Sequence, residues 1–491
     1  MEVVTSMDLQ LALPLFIVVG TGLLLMLLDA LGFRFLLIPV SALGYLLGIY
    51  YSGLNVPLSP QCGFSDMIWF GGFYSLFFIF FLLIGLFLLF FANEYMSRVM
   101  RMVVGDIYSL AAFAISGMYL LVAANDLIIT FIGLEIMSVA FYIFAGSWKT
   151  SLRSNESALK YFLLGAFSSG FLVMGIAFLY GASGTTNIQQ ITENYLNQSE
   201  NYLNQSLLSQ KVFWLGLILL TVGFFFKVAI FPFHAWSPDA YSGAPTPFVS
   251  FLVGGGKLAT FLTLGYLSVK WFALNKEIFQ PILVVLAVAS MVYGNYVALQ
   301  QRNLKRILAY SSIAHAGYVL LGMAVMDQEA YWSIAFYMIV YMMMTFGSFG
   351  LISALQSSEE DEELDAWKGI GLKKPFVGFL MAILMFSLAG IPPFAGFIAK
   401  YWIFLVAIKN QLIVPAIIGI LTSVVAAYYY LRVLVVMFFY QEEEEHLVTQ
   451  PGIASLLGVL FVAILVTGLG IFPMLIYNKI EHLVRISFNC V

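Results

Sequence analysis

Apolar stretches of about 20 residues recur along this chain from near its start to near its end, and each is long enough to cross the hydrocarbon core of a bilayer as a helix. They fall near 9–30, 33–52, 71–92, 106–123, 126–146 and 157–181, then near 212–237, 245–269, 278–299, 304–325 and 330–355. The last three lie near 375–408, 411–439 and 452–476. This pattern predicts an all-α membrane protein with about fourteen transmembrane helices. The stretch at 375–408 is too long for one straight helix and should contain a break. Composition agrees, with 62% of the 491 residues hydrophobic and only 10% charged. A soluble globular chain would carry about 25% charged residues. The opening MEVVTSMDLQLALPLF has no basic n-region and no small-residue cleavage site, so the first apolar stretch is expected to stay as a helix.

Several kinds of chemistry are excluded early. The two cysteines, Cys62 and Cys490, lie near opposite ends of the chain, and no CxxC occurs. Two thiols cannot hold a four-cysteine iron–sulfur or zinc site, so no redox centre is expected in this chain. GGGK at 254–257 evokes a phosphate-binding loop, but Phe251 stands where a glycine is required and Leu258 where serine or threonine is. Small residues before Lys257 fit close helix packing, or room for water, better than nucleotide binding.

Loop charge gives an orientation. With the N-terminus outside, Arg34, Arg98, Arg101, Lys149, Arg153, Arg302, Lys305, Arg306, Lys368, Lys373 and Lys374 fall on the cytoplasmic side. Only Lys211, Lys270, Lys276, Lys409, Lys479 and Arg485 fall on the other, which follows the positive-inside bias. An even span count returns the C-terminus outside. The one long polar loop, 182–211, contains ENYLNQS twice in tandem at 193–206 and is assigned no function. The acidic runs at 359–363 and 442–445 read as solvated loop ends.

Five cations remain, all within apolar stretches: Lys160, Lys227, Lys257, Lys400 and Arg432. Glu135 sits midway along its own stretch. A charge at the bilayer centre costs roughly 2.5–3.5 kcal/mol even on the mildest scale, so each needs a reason. Snorkelling to the interface suits Arg432 and could suit Lys160, but Lys227, Lys257 and Lys400 lie too deep for it. A static ion pair, such as Glu135 with Lys227, is a second ordinary explanation. The functional explanation is proton transfer: desolvation disfavours a charged lysine, and a nearby carboxylate restores it. A buried lysine can therefore hold or release a proton as its partner changes, and neutral histidine can relay between such stations. His234 and His315 lie within or beside helices, whereas His446 and His482 read as loop or end residues.

Two helices should be broken. Pro232, five residues after Lys227, cannot donate to the carbonyl of Val228. Pro392 and Pro393, ahead of Lys400, should likewise free carbonyls near Leu388 and Ala389. Non-helical backbone at membrane depth is tolerated where it is buried in protein or lines a wet cavity. Two broken helices, each with a lysine beside its break, fit the discontinuous helices of transporters built from inverted repeats. The fragments IFPFHAW and IPPFAGF point the same way.

GLEIMSVAFYIFAG, ESALKYFLLGAFSSGF, FFFKVAIFPFHAWSPDAYSGAPTPFVSFLVGGGK, RNLKRILAYSSIAHAGYVLLG and LAGIPPFAGFIAKYWIF, in this order, resemble the antiporter-like membrane subunits of respiratory complex I, the NADH–quinone oxidoreductase. The resemblance is strongest over about 106–432. It implies N-terminal helices over 1–105, two inverted five-helix repeats over 106–269 and 278–439, a last helix at 452–476, and breaks in the seventh and twelfth helices. It also implies that Glu135 and Lys227 form a carboxylate–lysine pair, with Lys160 as the sixth-helix polar residue. Lys257 would be the central proton station, Lys400 the outward one, and His234 and His315 histidines beside this axis. By the same analogy, quinone reduction in partner subunits alters the Glu135–Lys227 interaction, Lys227 shifts the proton affinity of Lys257, and a proton leaves through Lys400. NADH, FMN, iron–sulfur clusters and quinone would belong to partner subunits, with no cofactor in this chain. The expected partners are the other membrane subunits, the peripheral redox arm and lipid, with no nucleic acid, in a bacterial cytoplasmic membrane. One sister subunit typically has glutamate at the position of Lys400, and another continues into a long lateral helix. The lysine and the short C-terminus lead to the third sister. A subunit of a multi-subunit cation/proton antiporter, which shares the fold and the Glu and Lys pattern, is the alternative.

Overall fold

The structure is a computed structural model that describes residues 6–102, 104–200, 207–358, 360–440 and 450–489. The acidic run at 442–445, His446, Cys490, Glu359 and the 201–206 part of the tandem heptads lie outside the described residues.

The described chain is a helical bundle. Its main helices are α1 (Leu13–Ala30), α2 (Leu37–Asn55), α3 (Gly72–Tyr95), α4 (Asp106–Ala123), α5 (Leu127–Ala145) and α6 (Leu152–Ser183). There follow α7 (Leu207–Val228), the short α8 (Trp236–Gly243), α9 (Thr246–Lys270), α10 (Lys276–Gln300), α11 (Leu304–Met323) and α12 (Gln328–Leu355). The chain ends with α13 (Pro375–Ala389), α14 (Ala395–Lys409), α15 (Ile413–Phe439), α16 (Ile453–Ile471) and α17 (Met474–Asn489). A two-stranded hairpin, Gln61–Gly63 with Ile68–Phe70, joins α2 to α3. Among the described residues, twelve helices are long and apolar enough to cross a membrane. Of the fourteen expected stretches, 304–325 forms a helix of 20 residues that Lys305, Arg306, His315 and two serines make less apolar. The other, 375–408, is divided into α13 and α14.

Local sequence sets the helix starts. Asp126, Asn303 and Asp327 each accept a backbone N–H of the first turn that follows, satisfying donors with no partner inside the helix. Close helix crossings occur at glycines. A side chain at Gly117 would strike the Gly133 carbonyl at 2.7 Å, and one at Gly175 would strike the Leu220 nitrogen at 2.5 Å. Small residues let backbones approach in lipid, where apolar burial alone gives helices little reason to associate.

The centre of the bundle is α12, in which every side chain from Ala330 to Leu355 is buried, with α9 nearly as enclosed. A helix apolar and buried all round belongs in the core rather than at the lipid face. Outer helices behave oppositely: α15 exposes Val414, Leu421, Val424 and Tyr428 along one side.

Three expectations for the loops need correction. The polar stretch 182–211 is not simply a loop, because Ile188–Glu200 is helical and Trp271 donates to Thr192, anchoring it to the bundle. A helix not foreseen from the sequence, α17, follows α16. The acidic run at 359–363 is not wholly solvated either, since Glu362 is buried.

Candidate functional site

Glu135 lies in the middle of α5 and Lys227 one residue before the end of α7. The ammonium is 3.8 Å from the carboxylate and has only 3% side-chain exposure. It donates to the hydroxyls of Tyr142 at 2.9 Å, Ser138 at 3.1 Å and Ser169 at 3.4 Å. Ser169 in turn donates to Glu135 Oε1 at 2.5 Å and so bridges the two charges. Three hydroxyl acceptors plus a carboxylate replace the water that a lysine loses on burial. Nothing in the sequence marks these hydroxyls as ligands, although Ser138 and Tyr142 follow Glu135 by three and seven residues and so share its helix face.

Immediately after Lys227 the helix stops. Ala229 has a φ of +58°, and the N–H groups of Ala229 and Ile230 turn back to the carbonyls of Phe226 and Phe225. Trp236 Nε1 also donates to the Phe226 carbonyl, at 2.8 Å. His234 lies in this break, its ring 4.5 Å from that of Tyr293 and stacked on Phe231.

Lys257 follows a π-helical turn, Leu252–Gly256, inside α9, and such turns occur often at functional sites. Its ammonium, in a residue only 2% exposed, donates to the hydroxyl of Ser312 at 3.0 Å and to the Ser312 carbonyl at 3.1 Å. The glycines before it serve packing: added side chains at Gly255 and Gly256 would meet Ile84 at 2.5 Å and Phe141 at 2.6 Å.

Lys400 takes the carbonyls that the second break frees. α13 ends at Ala389, Gly390 adopts a φ of +84°, and α14 begins at Ala395. The Lys400 ammonium donates to the carbonyls of Leu388 and Ala389, each at 3.0 Å, and to Ser423 at 2.8 Å. The expectation that Pro392 and Pro393 would expose these two carbonyls is met, and the lysine is the group that receives them. An apolar groove lined by Phe397, Tyr401, Ile420 and Val424 leads from Lys400 to the outer face of the bundle.

His315 lies one helical turn beyond Ser312 on α11, with Nδ1 2.6 Å from the Tyr337 hydroxyl and Nε2 3.2 Å from that of Tyr430. It is buried against α12, whose Tyr341 ring lies 5.0 Å from the imidazole.

Lys160 is not with the buried lysines. Its side chain is 45% exposed and bonds to Glu156 at 2.7 Å and Asp239 at 3.0 Å. With Arg153, Arg306 and Glu362 these residues line a charged cavity of about 280 Å³. Arg432 caps the end of α10 through the carbonyls of Leu299 and Gln301, as a residue near a helix end can. Lys305, counted above among the loop cations, is in fact buried. Its ammonium lies 2.8 Å from Glu362 and 2.7 Å from the Ala244 carbonyl, because the 356–369 connection folds back onto the start of α11. Among the described residues, no group of three or more His, Cys, Asp or Glu is placed to hold a metal ion.

Paired and interrupted helices with charged groups held along a buried interior define an antiporter-like membrane protein. The chain belongs to the family described as NADH:quinone oxidoreductase/Mrp antiporter, TM, whose model matches residues 124–427. Among its relatives, NADH-quinone oxidoreductase subunit N 1 of Chloroherpeton thalassium is 38% identical over 97% of this chain and 98% of its own length. Subunit N of Trichlorobacter lovleyi is 39% identical over 81% and 82% of the two chains. A chain of respiratory complex I from Thermus thermophilus superposes with a TM-score of 0.78 at 30% identity, covering 95% of this chain and 98% of that one. A chain of the Mrp complex from Dietzia sp. DQ12-45-1b gives a TM-score of 0.84 at 19% identity over 97% of each, a likeness of fold alone.

Proposed function

We propose that this chain is the subunit-N member of a proton-pumping NADH–quinone oxidoreductase, moving protons across a bacterial cytoplasmic membrane as quinone is reduced in partner subunits. NADH, FMN, iron–sulfur clusters and quinone belong to those partners in this reading. One observation carries it: three ammonium groups, on Lys227, Lys257 and Lys400, are buried at membrane depth and held by hydroxyls and carbonyls, and a carboxylate lies beside only the first. A purely structural bundle has no use for three such groups, each costly to bury.

The roles follow from the contacts. Glu135 modulates Lys227, with Ser169 carrying changes between them. Lys257 is the central station, releasing its proton when Lys227 becomes a free positive charge. Lys400 is the outward station, His315 lies between the two, and His234 lines the first break. Lys160, in the charged cavity with Asp239 and Glu362, serves proton uptake at the cytoplasmic face. Two inverted repeats, 106–269 and 278–439, frame this path, with helices at 1–105 and 452–476 around them and both termini outside. A cation/proton antiporter subunit would share the fold, but relatives at 38–39% identity over most of the chain favour the oxidoreductase.

The test is quinone-dependent proton pumping in membrane vesicles, comparing wild type with Lys257→Ala after assembly of the complex has been verified. Pumping should be lost and electron transfer slowed. Normal pumping at normal turnover would make Lys257 a structural residue and sink the proposal. Pumping that requires sodium ions would favour the antiporter.

A further inference from the structure

Lys400 is buried without a carboxylate beside it, and an aromatic ring takes that place. Its three N–H groups are all spent, on the Leu388 and Ala389 carbonyls and on Ser423. Among the described residues no carboxylate pairs with it, whereas Lys227 has Glu135. The ammonium also lies over the ring of Tyr318 on α11, with Nζ 5.4 Å from the ring centre. The face of an aromatic ring is the negative part of its quadrupole. A cation within about 6 Å of that face is attracted to it, most strongly when both are out of water.

Tyr318 meets its lysine through the ring because its hydroxyl is engaged elsewhere. Asn295 on α10 donates from Nδ2 to the Met291 carbonyl at 2.8 Å and to the Tyr318 oxygen at 3.2 Å. The amide oxygen of Asn295 accepts from the Tyr429 hydroxyl at 2.9 Å, so the amide has both donors and its acceptor in use. Tyr142 meets Lys227 differently, accepting from that ammonium through its hydroxyl at 2.9 Å. His315 and Phe404 pack nearly perpendicular to the Tyr318 ring, with centres 5.7 and 5.8 Å away. Tyr318 and Asn295 are both buried.

We infer that Tyr318 is a positioning residue for the outward station: the face of its ring helps Lys400 hold its proton until the proton leaves. The inference rests on the proposed place of Lys400 in the proton path. Tyr318 gives up and takes no proton in this role and acts through the field of its ring. Contact with His315 on one side and Lys400 on another puts that ring where the path turns outward.

The test replaces Tyr318, in the assembled complex, with phenylalanine and then with phenylalanines bearing successively more ring fluorines. Fluorine draws charge away from the ring face and changes the size of the ring little. Tyr318→Phe keeps the ring but loses the bond to Asn295, so it is the reference and should retain most of the quinone-dependent pumping. Pumping should then fall with each added fluorine. Tyr318→Leu, without a ring, should pump about tenfold slower or worse, the scale of a cation–π contact out of water. A second readout does not depend on pumping. In complexes labelled with 15N-lysine, Lys400 is the signal missing from Lys400→Met, and its charged fraction should fall along the same series. Pumping and charged fraction that are equal for every ring would show that Tyr318 only packs, and would overturn the inference. Wild-type pumping by an assembled Tyr318→Leu complex would overturn it as well. A charged fraction that falls while Lys400→Met pumps normally would uphold the hold of the ring on Lys400 and remove Lys400 from the proton path, a failure of the functional reading alone.

Discussion

At the scale of the residue, the chain keeps charge inside a membrane by giving each ammonium several oxygen acceptors. Lys227 has three hydroxyls and a carboxylate at 3.8 Å, whereas Lys257 has only the hydroxyl and carbonyl of Ser312. Of the two, only Lys227 has a carboxylate within 4 Å among the described residues. Ser169 is the residue that touches both members of the Glu135–Lys227 pair. Ser169→Ala should leave the complex assembled but slow pumping about tenfold, the worth of one hydrogen bond to a charged group. Pumping at the wild-type rate would show that the pair communicates directly. Glu135→Gln keeps the shape and removes the charge, so it should depress pumping more than Ser169→Ala does. Equal effects in the same vesicle assay would argue against Glu135 as the modulating group.

At the scale of the element, a helix break in lipid must find partners for its carbonyls, and the second break finds Lys400. The ammonium holds the Leu388 and Ala389 carbonyls together with Ser423. Lys400→Met should therefore lower stability by about 2–3 kcal/mol as well as abolish pumping, since it leaves buried acceptors unpaired. Thermal unfolding of the solubilised complex would measure the first effect, and a variant as stable as wild type would mean that the carbonyls have other partners. Gly390 tests the same break from its backbone. With φ at +84° and a would-be Cβ 3.0 Å from the Lys400 side chain, Gly390→Ala strains the turn and pushes on the lysine. A loss of about 1 kcal/mol or more is expected from the backbone alone, together with impaired pumping. Intact pumping in a destabilised variant would uncouple the turn from the proton path.

At the scale of the whole molecule, the connection at 356–369 is tied to the start of α11 by the Lys305–Glu362 pair, with side-chain exposures of 1% and 4%. Gln356 extends the tie, donating to Glu362 and accepting from Thr246 at the start of α9, the helix that carries Lys257. Removing one member of a buried pair costs about 3–5 kcal/mol, because the other charge is left unpaired. Lys305→Met should accordingly loosen this connection and speed its cleavage by protease. The double variant Lys305→Met with Glu362→Leu should recover much of the loss, and a double variant as labile as the single one would show that the charge pair is not what holds the connection.

What could be read from the sequence and what could not divide along physical lines. The helices were legible because lipid allows few alternatives: about 20 apolar residues in a row must satisfy their backbone internally. The breaks were legible for the same reason, since proline removes a donor wherever it stands, and the spacing points to the Leu388 and Ala389 carbonyls that Lys400 holds. Deep charges such as Glu135, Lys227, Lys257 and Lys400 stood out because each is costly in an apolar run. Hydroxyls did not, as serine and tyrosine are cheap in a membrane helix and their direction depends on which helix lies opposite. Lys305 and Glu362 look solvated in the sequence because they lie in polar segments, and only the path of the chain between α12 and α13 buries them. Sequence by itself thus determined the solvent, the helices, their breaks and the costly charges, each a property of a short stretch in a fixed surrounding. Tertiary structure alone decided which acceptor each charge meets, that Lys160 stands in a charged cavity while Lys305 is enclosed, and which tyrosines face His315, because those depend on residues far apart in the chain being brought within about 3 Å.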